Sequence, residues 1–414
     1  MSTGVDSAAL RTGPRDGVRP GTAADAVDGV IPAEVAHPST VDEVGQLLRE
    51  AAASGSTVVP RGAGTKLGWG NPPTSVDLAL DVRRLDDVLE HNPGDLIVRA
   101  QAGLPLAALQ DRLAATGQLL ALDPPEEGAT VGGVVAANAS GPRRLRYGTV
   151  RDLLIGVTVT LADGTLAHAG GKVVKNVAGY DLGKVFTGSF GTLGVLVETI
   201  FRLHPLPAAR RVVSIPFDRP ERGGEIVQQV LHSALVPTAV EVDGAGADVP
   251  HTLTVLFEGI EPAVEAQAGQ AARLQPDATV GDELPESFGR PPYSADEVGL
   301  KLSYLPAAFP QVLLALAGGK RDLGLTHAVR GHAATGVLYV SWPVSDQVGP
   351  GLDRLRAELA PFDASVVVVQ APSYIKAGRD VWGPVGDALP LMGRVKERFD
   401  PDRRLSPGRF VGGI

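Results

Sequence analysis

The segment with the clearest chemical potential is residues 60–66, Pro-Arg-Gly-Ala-Gly-Thr-Lys, which we call loop 1. It follows a β-branched run at residues 57–59, and it leads into two further glycines and a Pro-Pro pair at residues 68–73. A turn that leaves a strand and stays irregular can direct several backbone N–H groups into one concavity, which suits an anion such as a diphosphate. The pattern therefore predicts a phosphate-binding loop.

Two better-known glycine motifs fail on their context. Residues 62–68 nearly spell the Rossmann fingerprint, but that motif needs a helix that starts inside the glycines, and residues 68–73 (Gly-Trp-Gly-Asn-Pro-Pro) cannot start one. A Walker loop is excluded at residues 171–173 and 183–185, because each Gly-Lys pair is followed by Val instead of Ser or Thr. A flexible surface loop remains the alternative for loop 1 taken alone.

A second and a third glycine cluster lie further along the chain, at residues 128–142 and 187–195. Their small side chains let the backbone approach a large planar or phosphate-bearing ligand, and Thr130 and Asn138 offer side-chain hydrogen bonds. Together with the Tyr-Gly pair at residues 147–148, they predict the wall of a ligand pocket. Tight turns in a sheet of small residues remain the alternative.

Composition bounds the class of protein. At 414 residues and 44% hydrophobic content, the chain is long enough for two or three packed domains. Its formal net charge of −9 argues against nucleic acid or an anionic membrane as the main partner. No apolar run approaches the roughly 20 residues of a membrane span, and residues 1–20 lack the apolar core of a signal peptide. A cytoplasmic location is therefore expected.

The absence of cysteine limits the redox and metal chemistry of the chain. Without cysteine there is no thiolate zinc site, no cysteinyl flavin link and no cysteine-ligated iron-sulfur cluster in this chain. The eight histidines show no metal-binding spacing, so no metal site is predicted. Electron transfer by this protein would need an organic cofactor or a partner.

The periodicity of apolar residues and the positions of prolines divide the chain into four parts. The first part lacks apolar periodicity, and the second ends at a strand followed by two prolines near residue 205. In the third part, strands and helices alternate twice around antiparallel pairs, which predicts an α+β domain. The predicted parts are a disordered tail (1–30), a glycine-rich domain (31–207), an α+β domain (208–385), and a carboxyl-terminal helix ending at Phe399 with its tail (386–414).

Five motifs in a fixed order resemble a known family. They read PRGAGTK, ATVGGVVAANASGP, YG, KNVAGYDL and TGSFGTLGVLVETIFRLHPLP. Over residues 33–207 this order resembles the FAD-binding domain of the vanillyl-alcohol oxidase and p-cresol methylhydroxylase (PCMH) superfamily. Residues 170–181 and the ending FDPDRRLSPGRF are most similar to the FAD-binding subunit of bacterial glycolate oxidase. The resemblance implies an α+β fold, with a PCMH-type two-subdomain FAD-binding fold followed by a ferredoxin-like cap domain, to which the carboxyl-terminal tail returns.

The resemblance also implies which residues bind FAD. Loop 1 would hold the diphosphate, the second cluster would line the ribityl and isoalloxazine groups, and the remaining positions would close the cofactor's flank. Members with covalently attached flavin carry a His in loop 1, where this chain has Thr65-Lys66, so FAD is expected to be noncovalent. The implied residues are Arg61, Gly62, Ala63, Gly64, Thr65, Thr130, Gly132, Gly133, Ala137, Asn138, Gly141, Gly148, Gly194 and Val195.

The catalytic candidates are Arg143, Lys175, Tyr180 and His332. Arg143 is suited to clamp a carboxylate or an FAD phosphate, although a solvated basic loop explains it equally well. Lys175 and Tyr180 would face the flavin or serve as structural hydrogen-bond partners. His332 lies in a segment that resembles one of the catalytic glycolate oxidase subunit, but Tyr339 and a valine stand where that family has His and Asn. His332 is therefore interpreted as a remnant more readily than as a base.

These observations lead to one main functional hypothesis and two alternatives. The main hypothesis is an FAD-linked oxidoreductase subunit that works beside a catalytic FAD subunit and an iron-sulfur subunit in the oxidation of glycolate or another D-2-hydroxy acid. Its partners would hold it at the inner face of the membrane without a span of its own. The alternatives are a stand-alone flavin alcohol or hydroxyacid oxidase or dehydrogenase, and a non-catalytic assembly subunit.

Overall fold

The computed structural model describes residues 17–172, 181–244, 246 and 250–414. Its first layer consists of strands β1 (Val18–Pro20) and β2 (Glu34–Ala36), helix α1 (Val41–Ser54), and strands β3 (Val58–Arg61) and β4 (Leu78–Asp81). The sheet has the order β1-β2-β4-β3, antiparallel between β1 and β2 and parallel elsewhere. Loop 1 therefore begins at the carboxyl end of an edge strand of this sheet.

Helix α1 covers one face of the first sheet. Its start is fixed by Thr40, whose side chain accepts a hydrogen bond from the backbone N–H of Glu43 at 3.2 Å, and it ends at Gly55 in the left-handed conformation with φ 69°. Val44 and Leu48, which lie on the apolar face of the helix, are fully buried against the sheet. Thr40 and the apolar spacing after it therefore define a capped amphipathic helix.

A second layer follows along the chain. Its elements are β5 (Val88–Asn92), β6 (Ile97–Gln101), α2 (Leu106–Ala114), β7 (Gln118–Leu119), α3 (Val131–Ala137), α4 (Arg144–Tyr147), α5 (Val150–Leu153), β8 (Leu154–Thr160), β9 (Leu166–Gly170), α6 (Leu182–Phe186), β10 (Val195–Arg202) and β11 (His204–Pro205). Five of the strands form an antiparallel sheet in the order β5-β6-β10-β8-β9, and β7 and β11 pair separately. One hydrophobic core joins this sheet to helices α2 and α3.

The cap domain is a single antiparallel sheet of eight strands with its own core. Its elements are β12 (Ala209–Phe217), α7 (Pro220–Leu231), β13 (Ala239–Gly244), β14 (His251–Gly259), α8 (Glu261–Leu274), β15 (Thr279–Gly281), β16 (Val298–Ser303), α9 (Phe309–Leu323), β17 (Ala328–His332), β18 (Val337–Trp342), α10 (Val348–Leu359) and β19 (Ser365–Gln370).

The strand order of the cap shows how it is built. The order β15-β12-β14-β13-β17-β18-β16-β19 consists of two βαββαβ units that meet at β13 and β17. Each unit has the ferredoxin-like arrangement that the sequence predicted. Because β13 and β17 are the inner strands, the residues on them lie at the middle of the sheet and not at its rim.

The carboxyl-terminal segment returns to the first sheet. After α11 (Ser373–Lys376) and α12 (Leu389–Phe399), the chain forms a parallel bridge between Leu405 and Val58 of β3. Val58 also donates a backbone hydrogen bond to the carbonyl of Arg404 at 2.8 Å, and Ser406 donates one to the carbonyl of Val58 at 2.8 Å. The tail therefore holds the strand from which loop 1 begins.

Three details differ from the sequence predictions. Residues 17–30 were expected to be disordered, but β1 pairs with β2, and Asp25 is buried between Arg19 and Arg61, which compensate its charge. The short strand β15 lies in a polar segment where no strand is predicted, and tertiary pairing with β12 overrides its weak local signal. The second glycine cluster contains helix α3, because Thr130 caps it in spite of its glycines.

Within the described ranges, no helix is both long enough and apolar enough to cross a bilayer.

Candidate functional site

The three glycine-rich clusters meet in one cleft of about 740 Å³, measured with its open mouth. Loop 1 forms one wall, α3 and its cap form the floor, and the third cluster forms the other wall. The cleft is lined by Pro60, Arg61, Gly62, Ala63, Gly64, Thr65, Lys66, Leu67, Val82, Thr130, Gly132, Gly133, Ala136, Ala137, Phe190, Gly191, Gly194, Val195, Leu196 and Arg409.

Close packing at glycine positions and a backbone hydrogen bond hold the walls of the cleft together. A Cβ atom on Gly62 would lie 2.0 Å from the hydroxyl oxygen of Thr130, so only glycine lets loop 1 reach the cap of α3. A Cβ atom on Gly132 would lie 2.6 Å from that of Ala102, which brings α3 against β6. The backbone N–H of Phe190 donates to the carbonyl of Ala136 at 2.9 Å and ties the third cluster to the second. Gly62 and Gly132, which the sequence analysis assigns to ligand contact, line the cleft and also allow this close protein packing.

Loop 1 presents a row of free backbone donors to this cleft. The N–H groups of residues 62–66 donate no hydrogen bond to any residue that the structure describes. By contrast, the first N–H groups of α3 are satisfied: Val131 and Gly132 donate to backbone carbonyls, and Gly133 donates to the Thr130 hydroxyl. Because N–H groups that no protein acceptor satisfies are available to a ligand, loop 1 is suited to bind an anion.

The side-chain charges of loop 1 are already compensated. The guanidinium of Arg61 contacts Asp81 at 3.1 Å and Asp25 at 3.4 Å. The ammonium of Lys66 pairs with Glu126 and lies 3.6 Å from the centroid of the Trp69 ring. An anion in the cleft would therefore be held mainly by backbone donors in this loop.

Most of the predicted cofactor residues come together, and three do not. Asn138, Gly141 and Gly148 lie outside the lining of the cleft. Gly141 donates its N–H to the carboxylate of Asp123 at 3.1 Å. A Cβ atom on Gly148 would lie 2.5 Å from the carboxylate of Asp152. Asn138 ends α3 in the left-handed conformation with φ 47°, and its side-chain oxygen is buried without a partner.

Of the predicted catalytic residues, Arg143 contacts the cap and His332 belongs to it. Arg143 donates two hydrogen bonds to Glu258 of β14, at 3.0 and 2.7 Å, and is thereby committed to the contact between domains. His332, at the end of β17, is buried with its Nδ1 atom against Glu241, while its Nε2 atom has no hydrogen-bond partner within the described ranges. The residues around His332 in the sequence do not indicate that carboxylate partner. Lys175 and Tyr180 lie outside the described residues.

A polar cluster that the sequence analysis does not predict lies between the glycine-rich domain and the cap. We call it the cationic cluster (Lys66, Glu126, Arg144, Lys301 and Tyr339). Lys301 on β16 lies opposite Tyr339 on β18. It is close enough to Arg144, Lys66 and Glu126 for their charges to act on it. Neither Lys301 nor Arg144 donates a side-chain hydrogen bond or forms an ion pair with a described residue. The cluster thus holds more positive than negative charge, and no local sequence motif indicates it.

Burial sets the proton affinities in this region. Burial, together with repulsion from Arg144 and Lys66, lowers the pKa of Lys301 to about 8. Burial raises the pKa of the Tyr339 hydroxyl above its ordinary range, so that this group stays neutral. Burial also raises the pKa of Asp123 to about 6, against the opposing charge of Arg143. A carboxylate ligand near Lys301 would favour its protonated form.

Comparisons with known proteins agree with this geometry. Residues 32–170 match the family described as FAD binding domain. Glycolate oxidase subunit GlcE of Escherichia coli (strain K12) is 34% identical over 221 residues, which cover 53% of this chain and 61% of that protein. D-2-hydroxyglutarate dehydrogenase of Xanthomonas citri pv. viticola is 28% identical over 430 residues, which cover 92% of this chain and 89% of that protein.

A solved structure of alkyldihydroxyacetonephosphate synthase has a TM-score of 0.69 and 16% identity, and the match covers 92% of this chain and 78% of that chain. This likeness shows the fold. The predicted α+β class, with a PCMH-type FAD-binding fold followed by a cap, is thereby confirmed. The chain spans about half the length of several curated relatives that it matches.

Proposed function

We propose that this chain, which carries an FAD-binding domain over residues 32–170, is an FAD-dependent oxidoreductase that acts on small 2-hydroxy acids. The observation that carries the proposal is the adjacency of two features. Loop 1 has N–H groups that donate to no described residue and could bind a diphosphate. Its Lys66 also belongs to the cationic cluster, where Lys301 and Arg144 form no ion pair with a described residue. A flavin bound in the cleft would lie beside groups that attract a carboxylate.

The residues present fit FAD as the cofactor. Glycine and other small residues line the cleft, so that a ligand can approach the backbone closely, and the N–H groups of residues 62–66, which donate to no described residue, are available to an acceptor. When bound, FAD supplies the two-electron acceptor for oxidation of the alcohol. Lys301 and Arg144 would bind and orient the substrate carboxylate. His332, whose Nε2 atom is free while Glu241 holds Nδ1, is the candidate to accept a proton.

Anaerobic reduction of the bound flavin tests the substrate proposal. We expect glycolate, D-lactate or D-2-hydroxyglutarate to bleach the visible flavin absorbance. The Lys301→Gln variant should raise the hydroxyacid concentration for half-maximal bleaching by roughly tenfold or more, because a charge-assisted contact of about 1.5–3 kcal/mol is lost. Lys184→Gln is the matched control, since Lys184 is half exposed and its ion-pair partner among the described residues is Asp181. An equal effect of both variants would contradict the assignment of Lys301.

The pH dependence gives a second readout of the same lysine. Since the pKa of Lys301 is lowered to about 8, this side chain carries its charge below that pH and loses it above. Apparent affinity for the hydroxyacid should therefore be constant below about pH 8 and should fall as the pH rises further. In Lys301→Gln this fall should be absent. A fall that persists in the variant would assign the titration to another group.

A more specific proposal is that this chain is an FAD-binding subunit that passes electrons to partner chains. Similarity to a protein named as a glycolate oxidase subunit supports this role, and the lack of cysteine places any iron-sulfur cluster on another chain. Such partners would hold the chain at the inner face of a membrane. If glycolate reduces the flavin only when partner chains are present, the subunit role is supported.

A stand-alone dehydrogenase is the second candidate. It is favoured by the match to D-2-hydroxyglutarate dehydrogenase, which extends over 92% of this chain, and by the cationic cluster within the chain itself. Bleaching of the isolated chain by a hydroxy acid would support it. A purified chain that is colourless and takes up no FAD would instead support a non-catalytic assembly role.

The flavin is proposed to be noncovalent. Loop 1 carries neither His nor Cys, and the chain has no cysteine to form a thioether link. We expect acid precipitation of the holoprotein to release all of its flavin into the supernatant, with no fluorescent band left on a denaturing gel. Flavin that stays with the precipitated chain would contradict the proposal.

A further inference from the structure

One cationic side chain of the cleft comes from the far end of the sequence. Arg409 lines the cleft together with loop 1, and its side chain is almost completely buried, with the residue 3% exposed. Its Nη2 atom donates to the carbonyls of Leu67 at 2.6 Å and Trp69 at 2.8 Å, which fixes the guanidinium beside the end of loop 1. Its Nε atom is buried and makes no hydrogen bond with any residue in the described part of the chain.

No acid in the described part of the chain forms an ion pair with Arg409. Of these acids, only Asp28 acts on its guanidinium with an opposing charge. The carboxylate of Asp28 already accepts a hydrogen bond from the buried ammonium of Lys376 at 2.7 Å. Burial lowers the pKa of Arg409 to about 10. Two buried cations thus share one carboxylate, which leaves one positive charge uncompensated, and buried charges are normally paired.

The other cations of this wall differ in this respect. Arg61 is paired with Asp81 and Asp25, and Lys66 is paired with Glu126. A diphosphate bound to the free N–H groups of loop 1 would bring two negative charges beside the guanidinium. We infer that Arg409 is the counter-ion of the cofactor's diphosphate, so that the carboxyl-terminal segment 404–414 completes the cofactor site from outside the FAD-binding domain. The inference rests on the proposed FAD site.

Contact between Arg409 and the diphosphate would couple cofactor binding to docking of the tail. The segment is held to the first sheet by Leu405 and to residues 71–74 by hydrogen bonds from Asn71 and Thr74 to backbone carbonyls of the tail, at 3.1 and 3.0 Å. A diphosphate that neutralises Arg409 removes the cost of burying its charge. Binding of the dinucleotide should therefore stabilise the docked tail, and undocking of the tail should weaken binding by the same coupling.

The test compares ligands with and without the diphosphate. Apoprotein is titrated with FAD, ADP and riboflavin, and binding is followed by quenching of flavin or tryptophan fluorescence. In Arg409→Gln, affinities for FAD and ADP should fall by roughly thirtyfold or more, while riboflavin affinity should change less than threefold. Arg404→Gln is the matched control, because Arg404 is a buried arginine of the same tail that donates to the carbonyl of Ala162 and does not line the cleft.

The outcomes separate this inference from the proposed function. Wild-type protein that binds neither FAD nor ADP would overturn the FAD site itself. Wild-type binding with equal affinities in Arg409→Gln would overturn only the role of Arg409. If Arg409→Gln does not fold, hydrogen exchange of the wild-type protein tests the role of Arg409 instead. ADP should slow exchange of the backbone amides of residues 404–414, and adenosine, which lacks the diphosphate, should not. Equal protection by both ligands would contradict the inference.

Discussion

Gly62→Ala is expected to purify largely without FAD, although the wild-type chain retains it. The added Cβ atom would lie 2.0 Å from the hydroxyl oxygen of Thr130, and the Cβ of Thr130 is only 3.1 Å away. Either loop 1 must withdraw from α3 or Thr130 must rotate and give up its cap on Gly133. Overpacking of this kind costs about 1–3 kcal/mol, which weakens FAD binding by roughly tenfold or more.

Gly68→Ala in the following turn is the matched control for this substitution. No atom lies within 4 Å of the position that its Cβ would take, and its φ is outside the left-handed region. FAD affinity measured by fluorescence titration of the apoprotein should therefore match that of the wild type. If both alanine variants bind FAD equally well, loop 1 does not form the wall of the cofactor site.

Lys396→Met is expected to destabilise the apoprotein by about 3–5 kcal/mol, because it removes one partner of a buried ion pair. The Lys396 ammonium donates to the carboxylate of Asp400 at 2.7 Å and to the carbonyls of Thr192 and Leu405 at 2.8 and 2.9 Å. Both charged side chains are almost fully buried. The substitution leaves Asp400 and two carbonyls without this donor, and it cuts the link between the third glycine cluster and the tail.

The measurement is urea unfolding of the apoprotein, so that bound FAD does not add to the stability. Lys184→Met is the control, since Lys184 is also a helical lysine next to an acid but is half exposed; its loss should cost less than about 1 kcal/mol. We expect the first unfolding step of Lys396→Met to include undocking of the tail. Unfolding midpoints that coincide for the two variants would contradict the role assigned to Lys396.

Local sequence signals predicted the elements because those signals are strong and short-range. Thr40 and the apolar spacing after it define α1, and Pro390 in a first turn with Phe399 as the last residue defines α12. The doubled strand-helix pattern of residues 208–385 predicted an α+β domain, and the family resemblance implied its ferredoxin-like form, which the strand order shows as two units. Loop 1 was also predicted, because glycine and proline restrict the backbone locally.

The charge pairs of the site could not be predicted in this way, because they join residues far apart in the chain. Lys66 meets Glu126 across 60 positions, and His332 meets Glu241 across 91. Arg409 reaches the carbonyl of Leu67 across 342 positions. The ending that contains Arg409 was noted for its resemblance to a family, but its contact with loop 1 depends on the return of the tail to β3. Such contacts follow from the topology and not from local propensity.

The absorbance spectrum of the purified chain during titration with FAD tests the central claim most directly. We predict oxidised flavin bands in an equimolar complex, with FAD affinity that falls in Gly62→Ala and is unchanged in Gly68→Ala. A folded chain that shows no flavin bands and no change in fluorescence on addition of FAD would contradict the claim that the three glycine clusters form one cofactor site.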